Sequence, residues 1–185
     1  MKAFQGGKLV SYLKSRPGVM VYQTEEHLLI ADNMGCFQVE SHEPVATLYK
    51  PAQMHKNYRT GMNGSYEEHS AVDLSSFWNE HLEIKEAYIV SPTNYLYQEN
   101  DKRLIRKFTT PKYAEEKCVI WILKPLIDIL AALAFELDYH FQFEKLYNSA
   151  WTTKQLPVRV SYRKEASENW KVVAFFANWD HQEER

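Results

Sequence analysis

Residues 118–137 restrict this chain more than any other stretch. Leu126, Leu130, Leu133 and Leu137 recur at three- and four-residue spacing, with Ile129 and Ala134 beside them. That spacing places an apolar stripe on one side of a helix, and the stripe must face a core. Pro125 suits the first helical turn, where its missing N–H loses nothing. Before the helix, Cys118 to Leu123 reads as a strand. After it, Tyr139 to Lys145, Leu156 to Arg163 and Trp170 to Ala177 read as three more, and Phe141 and Phe143 alternate with Gln142 and Glu144 as in a half-buried strand. The expectation is a helix laid across an antiparallel sheet. The run from Cys118 to Phe135 approaches the length of a membrane span, but Lys124, Pro125 and Asp128 interrupt it. No membrane association is expected.

The first forty residues follow the same order. Met1 to Phe4 reads as a short strand. Lys8 to Ser15 reads as a helix with Leu9, Tyr12 and Leu13 on one side, ended by Pro17-Gly18. Val19 to Gln23, His27 to Ala31 and Cys36 to Glu40 then form three strands. The Asp32-Asn33-Met34-Gly35 connection supplies residues that tolerate positive φ. Between the units, Val45 to Tyr49 reads as a strand, and a basic loop carries Lys50, His55, Lys56 and Arg59 to a turn at Gly61 to Ser65. Asp73 or Ser70 caps a helix over Leu74 to Leu82 that buries Phe77, Trp78 and Leu82. Ala87 to Val90, Tyr95 to Gln98 and Arg103 to Phe108 read as strands parted by turns at Ser91–Asn94 and Asn100-Asp101. The fold class is α+β, with antiparallel sheets, two main helices and strand–helix–three-strand units. The division is one domain over 1–185, or two similar subdomains, about 1–66 and 86–180, joined by an irregular middle segment.

Charge and chemistry narrow the function. Among 185 residues, 22 Lys plus Arg stand against 24 Asp plus Glu, so the net charge of −2 gives no global pull toward polyanions. Any nucleic-acid contact must come from a local patch. Two such patches exist: Lys8, Lys14 and Arg16 along the first helix, and Lys102, Arg103, Arg106 and Lys107 around one strand. Arg106 falls on the opposite face of that strand from Arg103 and Lys107, and a charged edge strand needs no further role. No phosphate-binding loop, His-Glu-x-x-His or nucleophile elbow occurs, and the two cysteines, Cys36 and Cys118, cannot form a zinc site alone. Cys36 follows a hairpin glycine and is a candidate for exposure, without a base nearby. Glu80-His81-Leu82-Glu83 reads as a solvated helix end. No enzyme, cofactor or metal is expected. Met1 to Val10 lacks the apolar core of a signal peptide, so a cytoplasmic, soluble protein is expected, with Cys36 and Cys118, both in apolar settings, buried and reduced. Trp151 and Trp179, near one end of the C-terminal sheet, are candidates for a protein-contact surface.

Several segments resemble bacterial-type DNA sliding clamps. Pro17-Gly18-Val19 and His27-Leu28-Leu29-Ile30-Ala31-Asp32-Asn33-Met34-Gly35-Cys36-Phe37 are similar to the first hairpins of that family. Lys102-Arg103-Leu104-Ile105, followed by Phe108 and Pro111-Lys112-Tyr113, looks like its Arg-Leu-Ile strand and Phe-Pro-x-Tyr connector. The closing helix and three strands, including Leu156-Pro157-Val158-Arg159-Val160, resemble a closing clamp subdomain. The resemblance implies a non-enzymatic replication accessory, a processivity factor of the kind phages and plasmids carry. It would be a homo-oligomer that encircles duplex DNA and tethers a protein partner, with helices presenting Lys or Arg to phosphates. Lys8, Lys14 and Arg16, with Lys102 and Arg103, are then the DNA-contact candidates. The second helix instead carries Asp128, Glu136 and Asp138. That acidic face supports an alternative: a small protein that binds and modulates a host nucleic-acid enzyme through Asp128, Glu136, Trp151 and Trp179.

Overall fold

A computed structural model describes residues 7–41, 43–61, 65–99, 103–111, 118–147 and 155–179, with backbone alone at 44, 99, 103 and 132–137. The fold is α+β: among the described residues, four helices and one antiparallel sheet of eleven strands. The N-terminal elements are α1 (Gly7–Lys14), β1 (Met20–Gln23), β2 (His27–Ala31) and β3 (Gly35–Glu40). The C-terminal ones are β8 (Val119–Leu123), α4 (Lys124–Leu137), β9 (His140–Leu146), β10 (Val158–Arg163) and β11 (Lys171–Phe176). Between them lie α2 (Pro44–Leu48), β4 (Asn57–Thr60), β5 (Tyr66–Glu68), α3 (Leu74–Leu82), β6 (Ala87–Glu99) and β7 (Arg103–Thr109). The strand order is β5-β4-β1-β2-β3-β11-β10-β9-β6-β7-β8.

Helix α1 with the meander β1–β3, and α4 with the meander β9–β11, are each a helix followed by three antiparallel strands. They join edge to edge, with Ala174 opposite Phe37 and Phe175 opposite Cys36. Helices α1 and α4 touch each other over one face of this sheet. Leu9, Leu13, Leu126, Ile129 and Leu130 meet Ile30, Phe37, Val158, Val160 and Phe176 there in the main core. Helix α3 covers the opposite face, where Leu74 and Trp78 pack on Leu29, Cys36 and Phe175. Two-sided burial explains why the central strands read as apolar runs, such as His27–Ala31, where every residue after the half-buried His27 is buried.

The sheet also rolls. Strand β6 pairs with β9 over Ala87–Val90, then with β7, and its register shifts between Pro92 and Leu96. Four strands lie between β11 and β8 in the order, yet residues just beyond β11 reach β8's free edge. Trp121 N–H donates to Asn178 Oδ1 at 3.1 Å, and Trp121 C=O accepts from Trp179 N–H at 2.8 Å. Between α4 and β9, Asp138 closes the helix in the left-handed region.

Several expectations are corrected. Val45 to Tyr49 is not a strand: Pro44–Leu48 is a short helix with Pro at its start, burying Val45 and Ala46. The basic segment around Arg59 is not a loop but the outer hairpin β4–β5, with Arg59 opposite Glu67. Ser91–Asn94 is not a turn, because β6 runs unbroken through it; Pro92 sits where only β7 pairs, so its missing N–H leaves no ladder bond unmade. Strand β7 is internal, between β6 and β8, rather than a charged edge. Positive φ is absent from Asp32–Gly35; the Asp32 carboxylate makes that turn instead, accepting from Met34 N–H (2.9 Å) and Gly35 N–H (2.8 Å). Gly18 does take φ +71° after α1, and a Cβ there would overlap the Arg59 guanidinium. Cys36 is buried and free, as the apolar setting leads one to expect, and burial followed by the Asp32 charge raises its thiol far above the usual range. His81 is also buried, its Nδ1 2.7 Å from Phe77 C=O, while Leu82 faces solvent. The helix end is solvated at Glu80, Leu82 and Glu83 and departs from that only at His81, because the α3 stripe runs through Leu74, Trp78 and His81, at i, i+4 and i+7.

Candidate functional site

The α1–α4 helix layer is the surface on which basic side chains gather over a formed core. Leu9, Tyr12 and Leu13 point inward along α1, so the helical period turns Lys8, Ser11 and Lys14 to solvent. Lys14 lies in the last turn, where a cation complements the unsatisfied carbonyls. Arg16 follows it and is held from two sides. Its Nε lies 3.3 Å from Asp32 Oδ2, and its guanidinium stacks 4.5 Å over the Tyr12 ring. The Tyr12 phenol donates to the same Asp32 oxygen at 2.7 Å. Burial, then the Asp32 charge, raises that phenol well above the usual tyrosine range, so it stays a neutral donor. The Asp32 side chain is 3% exposed, which makes Arg16 a positioned cation rather than a mobile one.

Helix α4 contributes less acid than its sequence suggests. Lys124 opens it and binds both Asp128 oxygens, at 2.8 and 2.6 Å. This i,i+4 pair offsets the charge proposed for partner contact at Asp128. The sequence reading starts this helix at Pro125 and so leaves out Lys124, whose signal is a lysine before Pro with Asp four residues on. Glu136 lies on α4 and Arg103 on β7, both described by backbone alone, and Lys102 and Trp151 fall outside the described residues. Trp179 is half-buried and packs on the main core. The structure thus sets Lys8 at the start of α1, Lys14 in its last turn and Arg16 just beyond it, and places Arg103 on β7.

The second basic stretch is engaged differently. Lys107 Nζ lies 5.8 Å from the Tyr95 ring centroid and 5.6 Å from that of Trp121. It is therefore part of an aromatic contact between β6, β7 and β8. Among the described residues no group of His, Cys, Asp and Glu is arranged to hold a metal, and no helix is long and apolar enough to cross a membrane. No family model, curated protein or solved structure matches this chain.

Proposed function

We propose that this protein is a non-enzymatic DNA-replication accessory of the sliding-clamp kind, working as a homo-oligomer that holds duplex DNA against its helix layer. One observation carries the reading: two helix-plus-three-strand units join through β3 and β11, with α1 and α4 side by side on one face. That architecture is the one the resemblance implies. Lys8 and Lys14 stand exposed on this layer, and sequence-independent duplex binding requires cations of that kind facing phosphates.

The experiment is solution mass by light scattering, with retention on circular and linear duplex DNA measured in parallel. A closed oligomer that stays on circles and slides from linear ends supports the reading. Replacing Lys8 and Lys14 together by Gln flattens the slope of log K against log salt by about 2. A DNA-indifferent monomer or dimer overturns it in favour of a protein that modulates a nucleic-acid enzyme.

A further inference from the structure

We propose that the groove between the end of α1 and the β4–β5 hairpin binds a nucleotide unit of a single-stranded nucleic acid. This goes beyond duplex binding and does not depend on it. The groove measures about 580 Å³, within the usual size of ligand clefts. Lys14 and Arg16 enter it from α1, Tyr49 and Tyr66 from the end of α2 and from β5, and Leu13 and Val19 lie buried at its base. Among the described residues no carboxylate lines it, and the Asp32 carboxylate that pairs with Arg16 is not part of the lining. Cations for phosphate, aromatic faces for a base and an apolar floor are the combination that single strands require.

The two tyrosines belong together. Both line the same groove, and burial raises both phenols above the usual tyrosine range, so each stays neutral there. Tyr66 is also held edge-on by Tyr58, at 6.4 Å between centroids. Arg16 is oriented beforehand by Asp32 and Tyr12, so little side-chain entropy is lost when a phosphate arrives.

A strand explains the surroundings better than a free nucleotide does. Arg16 also lines a second groove, of about 450 Å³, together with Lys124 and Trp179. Asp128 lines that groove too, paired to Lys124, so its contribution there is aromatic and positional more than a net charge. A chain leaving the first groove past Arg16 meets another aromatic side chain, as a stacking track demands.

The test uses the full chain and fluorescein-labelled (dT)8 and (rU)8 in anisotropy titrations at several salt concentrations. AMP and polyglutamate serve as competitors. The wild type binds an octamer. Tyr66→Leu weakens binding about tenfold, and Lys14→Gln, at an exposed position, reduces the salt slope by about 1. Lys171→Gln serves as the surface control and leaves affinity unchanged. Competition by AMP assigns the site to free nucleotides as well as strands, and its absence assigns it to strands; the two octamers distinguish DNA from RNA. Equal octamer affinity for wild type, Tyr66→Leu and Lys14→Gln, or equal displacement by polyglutamate, overturns the proposal. Tyr66→Leu retains circular duplex as the wild type does, so loss of either activity is seen separately.

Discussion

The Tyr12 phenol donates a 2.7 Å hydrogen bond to Asp32, tying the middle of α1 to the turn that begins β3. Asp32 simultaneously accepts from Met34 and Gly35 N–H, so one carboxylate sets both the hairpin and the helix position. Tyr12→Phe removes one charge-assisted bond and leaves Arg16 on the carboxylate. The expected cost is about 1.5 kcal/mol. It appears as a lower urea midpoint at unchanged slope. Asp32→Ala also frees the two turn amides and costs more. Equal midpoints for the two variants would mean that the helix tie, not the turn, carries the whole effect.

How much of this was readable beforehand follows from local against non-local causes. The β2 boundaries, the buried Leu9, Tyr12 and Leu13, and the Asp73 cap were legible because period and capping act within a few residues. Val45 misled because β-branched propensity is weak beside a proline start and a five-residue length. The unbroken β6 was hidden because Pro92 is tolerable only when one side of the strand lacks a partner, a property of the whole sheet order. The same limit applied to function. Lys8 and Lys14 were visible as exposed helical positions, whereas the convergence of Tyr49 and Tyr66 on one groove and the bond between Trp121 and Asn178 depend on how distant segments pack.

Asp73 caps α3, accepting from Ser75 N–H at 3.0 Å, Ser76 N–H at 3.3 Å and the Ser76 hydroxyl at 2.7 Å. The Ser76 hydroxyl, followed by smaller contributions from Ser76 N–H, Asn57 and Ser75 N–H, lowers its carboxyl below the ordinary value of 3.8. A depressed folded-state value means stability present above pH 3.8 and lost as pH falls through the folded value. Asp73→Ala therefore costs about 1 kcal/mol near neutral pH. The wild-type and variant stability curves converge below that window. A difference that persists unchanged into strong acid would show that the cap's charge is irrelevant.

Arg159 and Glu144 face each other across β10 and β9, with Nε 2.9 Å from Oε2 and both side chains under 16% exposed, at 12% and 15%. Arg159 also donates to Ile84 C=O at 2.8 Å, fastening the segment before β6 to the sheet. Arg159→Ala leaves a buried carboxylate without its cation and is expected to cost about 3 kcal/mol. Arg159→Met with Glu144→Leu removes both charges and lies close to wild type. A double-mutant cycle by chemical denaturation measures this, and additive single effects would show that the two charges do not interact.

Asn178 holds the free edge of the rolled sheet. Its side-chain oxygen takes the outward N–H of Trp121, while Trp179 N–H fills the matching carbonyl. Because alternate residues of an antiparallel strand turn their backbone groups to opposite sides, Ile120 and Ile122 direct theirs to β7. Asn178→Ala leaves a buried amide unpaired and costs about 1–2 kcal/mol. Native-state hydrogen exchange locates the effect: the Trp121 amide loses protection while Ile120 and Ile122 keep theirs. An apolar edge strand with an open amide is also a template for pairing with another chain. The variant's mean mass should then rise with concentration more steeply than that of the wild type. If Trp121 exchange and mass both stay at wild-type values, the sheet is closed by packing around Trp179 rather than by this hydrogen bond.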